Sequence, residues 1–236
     1  MQLPRIYQNY LSSSGISTDT RSLKKGDLFF ALHGEKFNGN QFAEKAILLG
    51  AIKVIVDDQK LASLSPLVIV VKDTLKTLQE LATFHRTKLK TPIIAITGSN
   101  GKTTTKELVR EVLSQKYSVL ATEGNLNNHI GVPLTLLKLK EHHELAIIEM
   151  GANHIKEIEL LCNITQPNWG YITNFGKAHL EGFGSIQEVV KGKSELYEYL
   201  IYRKQKILIN GDDHKQIIQT NNYPIISFGI GDKNNF

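Results

Sequence analysis

The run Thr97-Gly98-Ser99-Asn100-Gly101-Lys102-Thr103-Thr104 carries the sharpest chemical signal in the chain. It joins an apolar, β-branched stretch at 93–97 to a stretch with helical spacing from about Lys102 to Leu113, the setting in which a loop wraps an anion. Glycines let the backbone curl until successive N–H groups face one anion. The start of a helix adds unpaired donors and a partial positive charge. Lys102 has the reach for the outer phosphates of a nucleotide, and the Thr103 hydroxyl suits Mg²⁺. The strict G-x-x-x-x-G-K-[ST] pattern is not met, because Ile96 stands where its first glycine belongs. The loop reads as a shorter variant, with Gly98, Ser99, Asn100, Gly101, Lys102, Thr103 and Thr104 as the phosphate-binding candidates.

Glu149 closes the apolar run Leu145-Ala146-Ile147-Ile148. An acid at that place, on the same sheet as a phosphate loop, can hold a metal or its water. Alone it reads first as an ordinary strand-end carboxylate near solvent. Three weaker features stand beside it. Asn125-Leu126-Asn127-Asn128 follows a strand and offers amide donors and acceptors, or simply a turn. Lys177-Ala178-His179-Leu180-Glu181-Gly182-Phe183-Gly184-Ser185 sets a histidine in a glycine-rich loop, where a solvated ring is the commoner case. Lys191-Gly192-Lys193-Ser194-Glu195 falls in a helical stretch and reads alone as a charged, solvated face.

These groups need a scaffold, and the pattern supplies one. Leu28–Leu32, Lys53–Asp57 and Leu67–Val71 read as strands. Gln41–Leu49, with Phe42, Ala46 and Leu49 on one face, and Asp73–Lys88, capped by Asp73, read as helices. The polar stretch Lys88–Pro92 marks a boundary, giving domains at 1–90 and 91–236. Beyond it, strands at Ile93–Thr97, Val119–Thr122, Leu145–Glu149, Trp169–Thr173, Ile207–Asn210 and Pro224–Phe228 alternate with helices at Lys102–Leu113, Ile155–Leu161 and Ser185–Leu200. Such alternation predicts an α/β fold with a parallel sheet and helices on both faces. The 236 residues allow one large domain or two modest ones. A single cysteine, Cys162, excludes an intrachain disulfide and fits a reducing compartment. No apolar run reaches the roughly 18 residues of a membrane helix, so no membrane insertion is expected. The net charge of +5 and pI near 9.1 fit an anionic partner. The basic residues are scattered and no recognition motif accompanies them, so nucleic acid is not expected.

Taken together these residues resemble the Mur ligase family of ATP-dependent amide-forming enzymes. Gly98–Thr104 looks like the family's ATP loop, and Glu149 within Ile148-Glu149-Met150-Gly151-Ala152 looks like its metal-binding acid. His179 resembles a histidine that helps hold a second Mg²⁺. Lys193 falls where the family carries a lysine carbamylated by CO₂, with Lys191 as the competing candidate. Gly124–Pro133, Glu149–His154 and Ala178–Ser185 resemble the members that use D-alanyl-D-alanine. In the first domain, Ser17-Thr18-Asp19-Thr20-Arg21 and Gly34–Asn40 are similar to segments that bind the UDP-linked substrate, which makes Thr18, Asp19, Thr20, Arg21, Phe37 and Asn38 substrate candidates beside Asn125, Asn127 and Asn128.

The resemblance implies a small N-terminal α/β domain for the UDP substrate, followed by a P-loop-type parallel-sheet domain for ATP. It implies transfer of the ATP γ-phosphoryl group to the carboxylate of UDP-N-acetylmuramoyl-tripeptide and attack by D-alanyl-D-alanine, a step of peptidoglycan synthesis. Lys102, His179 and Lys193 are the implied catalytic residues, and Thr103, Glu149, His179 and Lys193 the implied ligands of two Mg²⁺ ions. It also implies a cytoplasmic monomer. The family's C-terminal domain has no counterpart here and the second domain looks incomplete, so the expectation is a fragment without turnover. Two other readings stay open: a folylpolyglutamate synthase-like ligase, and a non-catalytic UDP-sugar-binding module.

Overall fold

A computed structural model describes residues 2–34, 37–176, 180–220, 222–231 and 234–236. The chain divides into two compact units, Met1–Thr87 and Lys88–Phe236.

The first unit runs α1 (Leu3–Leu11), β1 (Ile16–Ser17), β2 (Leu28–Phe30), β3 (His33–Gly34), β4 (Phe37–Asn38), α2 (Ala43–Leu48), β5 (Lys53–Val56), β6 (Val68–Val70) and α3 (Thr74–Lys88). Its main sheet has the order β1-β2-β5-β6, all parallel, and β3 and β4 form a small antiparallel ladder. Asp73 does cap α3, accepting the Lys76 N–H at 2.8 Å. The core packs Phe29, Ala31, Ala43, Ala46, Val54 and Val56. Leu49, expected on the inner face of α2, is exposed, because the helix stops at Leu48 and Gly50 turns the chain at φ +94°. Helix α1 has no counterpart in the sequence pattern. Pro4 in its first turn, where an N–H is unpaired anyway, does not hinder it, and Ile6, Tyr7 and Tyr10 bury one face.

The second unit runs β7 (Ile93–Thr97), α4 (Lys102–Leu113), β8 (Val119–Ala121), α5 (Gly131–Leu136), β9 (Leu145–Glu149), α6 (Glu157–Thr165), β10 (Trp169–Ile172), α7 (Leu180–Phe183), α8 (Ile186–Tyr202), β11 (Lys206–Asn210), α9 (His214–Gln219) and β12 (Ile225–Phe228). The sheet order is β12-β11-β10-β7-β9-β8, and every pairing is parallel. The expected α/β alternation is therefore met. Residues Ala146 to Glu149 of β9 are all buried, the mark of a strand covered on both faces. Helix α4 lays Val109 and Leu113 on Ile94, Ile96, Ala121 and Ile147. Helix α8 sets Leu196 and Leu200 so tightly on β10 that a Cβ at Gly170 would overlap Leu200.

Helix α6 begins at Glu157 rather than 155, since Lys156 takes a left-handed φ of 72°, and it runs on to Thr165. The short helices α5, α7 and α9 leave no mark in the sequence pattern, being too brief to show a period. Strand β7 is central. From it the chain goes outward to β8, back to β9, then across to β10 on the other side. Ligands of open α/β sheets bind beyond the strand ends where winding reverses in this way. The loops after β7 and β10 meet there.

Candidate nucleotide and metal site

The loop between β7 and α4 is held from outside. Ser99 N–H donates to Asn174 O (3.1 Å) and Ser99 Oγ to Gly176 O (2.9 Å). Asn100 N–H donates to Asn174 Oδ1 (3.2 Å), while Asn100 O accepts from Thr173 Oγ1 (2.6 Å) and Asn174 Nδ2 (3.0 Å). Gly98 has φ +141°, and a Cβ there would overlap Thr173 Oγ1, so this position requires glycine. Gly101, at φ +77°, caps α4. Thr103 and Thr104 are exposed on its first turn.

Lys102 turns back over the loop, donating to Gly98 O (2.8 Å) and Ser99 O (3.2 Å). Burial holds its pKa below that of an ordinary lysine, and the charge of Glu149 opposes the shift. The side chain lines a cavity of about 400 Å³ together with Asn125, Asn127, Asn128, Glu157 and Leu161.

Glu149 is 1% exposed. Its backbone N–H donates to Thr122 Oγ1 (3.0 Å) and its Oε1 accepts from Asn127 Nδ2 (2.8 Å). Its Oε2 is buried and has no hydrogen-bond partner among the described residues. A carboxylate oxygen in that condition fits a hard cation, since a buried unpaired charge is otherwise costly. No group of three His, Cys, Asp or Glu able to hold a metal occurs among the described residues. Of the predicted ligands, Glu149 is the one carboxylate. Thr103 and Lys193 contribute other chemistry, and His179 lies outside the described residues.

Lys193 is completely buried, against the simpler reading of a solvated face. Its Nζ donates to Ala152 O (3.0 Å) and lies 5.3 Å from the centre of the Phe183 ring. Burial lowers its pKa to about 8, helped by the charge of Lys102 and opposed by Glu157 and Glu195. Lys191, the competing candidate, is exposed. Lys102 therefore feels both Glu149 and Lys193, and the three belong to one electrostatic neighbourhood.

Two carboxylates that carry no signal of their own in the sequence shape this region. Glu157 accepts the Asn153 N–H (2.6 Å) and the His154 N–H (3.2 Å), fixing the turn after β9. Glu195 accepts the N–H groups of Lys156 (2.6 Å) and Glu159 (2.9 Å), so α8 caps the start of α6. Burial raises the Glu195 pKa, and those two bonds counter it in part.

The first-unit candidates sit on short turns. Asp19 accepts the Arg21 N–H (2.9 Å) and pairs with the Arg21 guanidinium, whose hydrogen bonds hold its carboxyl at about 2. Thr20 is buried. Phe37 is half exposed and stacks on Phe42, centroids 5.4 Å apart. Asn38 Oδ1 accepts the Asn40 N–H (2.9 Å). Behind this turn Asp57, inconspicuous in the sequence, gathers Asn40 Nδ2 (2.8 Å), His33 Nε2 (2.8 Å) and Thr74 Oγ1 (3.1 Å).

Residues 96–236 match the model of the Mur ligase middle domain, and residues 12–86 match that of the Mur ligase family catalytic domain. The UDP-N-acetylmuramoyl-tripeptide–D-alanyl-D-alanine ligase of Haemophilus influenzae is 45% identical over 208 residues, 86% of this chain and 45% of that protein. A crystal structure of MurF from Acinetobacter baumannii superposes with a TM-score of 0.85 at 33% identity, covering 99% of this chain and 53% of the other. MurF ligase from Thermotoga maritima, solved in complex with ADP, gives 0.82 at 29% identity, over 93% and 51% of the two chains. The chain thus spans about half the length of the relatives it matches.

Proposed function

The chain belongs to the Mur ligase family, and on that premise we propose that it supplies the acceptor-binding and nucleotide-binding units of an ATP-dependent ligase that joins D-alanyl-D-alanine to UDP-N-acetylmuramoyl-tripeptide. The observation that carries the reading is the loop at 98–101, opening on Lys102 beside an acid whose buried Oε2 has no protein partner among the described residues. In the proposed reaction a carboxylate oxygen of the tripeptide attacks the γ-phosphorus of ATP and ADP leaves. The amine of the dipeptide then attacks the acyl carbon, a proton is lost and phosphate departs, leaving an amide.

The protein's share is positioning and neutralisation. The N–H groups at the start of α4 face the phosphates, those of Ser99 and Asn100 being held by Asn174. Lys102 leaves the Gly98 and Ser99 carbonyls to meet the β- and γ-phosphates. Without cations the carboxylate and the γ-phosphate repel by about 4 kcal/mol at 4 Å and an effective dielectric of 20. Thr103 would hold one Mg²⁺, and Glu149, His179 and carbamylated Lys193 a second; when bound, these ions supply charge neutralisation between the two reacting anions. Carbamylation needs a neutral amine, and a lysine with a pKa of about 8 offers one far more readily than an ordinary lysine. The ammonium gives up one proton, the neutral amine attacks CO₂ to form an N–C bond and releases a second, so a cation becomes an anion. Thr18, Asp19, Thr20, Arg21, Phe37 and Asn38 would contact the UDP-linked substrate.

Equilibrium binding tests this reading. The chain is expected to bind Mg-ADP, and to bind UDP-N-acetylmuramoyl-tripeptide in preference to folate. Lys102→Ala should lose the nucleotide and keep the UDP ligand. Binding of folate instead, or of the UDP ligand with no nucleotide at any Mg²⁺ concentration, would refute it.

A further inference from the structure

Asn127 is a substrate candidate by resemblance and lines the Lys102 cavity, yet its amide is engaged by the protein itself. Its Nδ2 donates to Glu149 Oε1 at 2.8 Å. Its own carbonyl accepts the Gly151 N–H at 2.7 Å, so the backbone just past the acid's strand end is tied to the asparagine. The amide lies flat against Gly151: a Cβ there would meet Asn127 Oδ1 at 2.8 Å and Cγ at 3.0 Å. Gly151 is not in the left-handed region, so what a side chain at 151 would meet is this amide, which would have to shift. One carboxylate oxygen of Glu149 is thereby occupied, the strand end is fixed from behind by the Thr122 hydroxyl, and only Oε2 is left to offer.

We propose that Asn127 is a positioning residue that orients Glu149 for a divalent cation, and that Gly151 is glycine in order to seat it. The proposal rests on the reading of Glu149 as a metal-binding acid. Groups that hold a metal's ligand in place commonly govern affinity by tenfold or more when removed. A neutral amide fits this role because it donates to the carboxylate without neutralising it, whereas a lysine there would compete with the cation.

The test is Mn²⁺ binding to the whole chain, followed by electron paramagnetic resonance in the presence of saturating ADP. Glu149→Gln should abolish high-affinity Mn²⁺ uptake. Asn127→Ala should weaken it by about tenfold, with metal-free ADP affinity close to that of the parent and a lower thermal midpoint, since Glu149 then loses the donor to Oε1. Gly151→Ala, which keeps the amide but displaces it, should weaken Mn²⁺ in the same way. In the Glu149→Gln background, Asn127→Ala should change nothing further. Unaltered Mn²⁺ affinity in both Asn127→Ala and Gly151→Ala would overturn the proposal while leaving Glu149 as the acid. Loss of UDP-substrate affinity with unchanged Mn²⁺ affinity would return Asn127 to substrate binding. Parent protein that takes up no Mn²⁺, or a Glu149→Gln variant that takes it up normally, would remove the premise and the proposal together.

Discussion

Replacing Lys193 by methionine should make the protein more stable at neutral pH, and less stable at high pH. The side chain is wholly buried, and its amine titrates at about 8 against 10.5 for an ordinary lysine. At ~1.4 kcal/mol per unit, keeping the charge in the folded state costs about 3 kcal/mol. Methionine removes that cost and fills similar space, but leaves Ala152 O without its donor, a loss of about 1–2 kcal/mol. The net gain at pH 7 is about 1–2 kcal/mol. The unfolded chain holds the lysine proton up to about pH 10.5 and the folded chain only to about pH 8, so unfolding takes up a proton between them. Parent stability therefore rises with pH across that window. The advantage of Lys193→Met shrinks from about pH 8 upward and reverses sign at about pH 9. Urea unfolding followed by the fluorescence of Trp169, the chain's one tryptophan and a β10 residue, reports the unit concerned. Buffers must be free of CO₂, which would consume the neutral amine. A variant less stable than the parent at pH 7, or a difference that does not vary with pH, would refute the reasoning.

Gly98→Ala should cost about 2–3 kcal/mol through left-handed strain and the clash with Thr173, read in the same urea assay, and should weaken ADP binding. Glu195→Ala frees two N–H groups at the start of α6 and should cost about 2 kcal/mol, with Glu195→Gln losing roughly half as much. Asp57 feels burial first, which raises its pKa, but the bonds from Asn40 and Thr74 prevail and leave it lowered. Its contribution is present above the usual carboxylate range and lost as pH falls through the folded value. Asp57→Asn should therefore cost about 1–3 kcal/mol at pH 7 and progressively less as pH falls through the folded value, measured by circular dichroism of the acid transition.

The parts legible in the sequence are those set by neighbours along the chain. Strand β7, the loop at 98–101 and α4 can be read because glycine, lysine and threonine at fixed spacing carry the local geometry themselves. Strand β9 and its terminal Glu149 are legible as an apolar run ending in an acid. What stays hidden depends on partners far along the chain. Glu149 meets Asn127 across 22 positions, Lys156 meets Glu195 across 39, and Lys193 meets Ala152 across 41. No periodicity announces such pairs. Lys193 is the sharpest case, since the charged run around it reads as solvated and only the packing of α8 shows that it is buried. Helices α1 and α5, each with a proline, escape a sequence pattern because proline near a helix start looks like a break.

If the loop holds phosphates as proposed, the resting place of Lys102 bears on which anions it accepts. Its ammonium already rests on two carbonyl oxygens of that loop, at 2.8 and 3.2 Å. A newcomer must displace it, and hydrogen bonds to a charged group are worth about 1.5–3 kcal/mol each. The lysine is thus a built-in competitor, and it imposes a threshold. A lone phosphate offers one cluster of charge to offset that loss. A di- or triphosphate adds further oxygens for the N–H groups at the start of α4, and each additional ~1.4 kcal/mol raises affinity tenfold. On the proposed reading of this loop, inorganic phosphate should bind it more weakly than ADP does, because the resting position of one amine opposes both and only the longer chain offers further contacts.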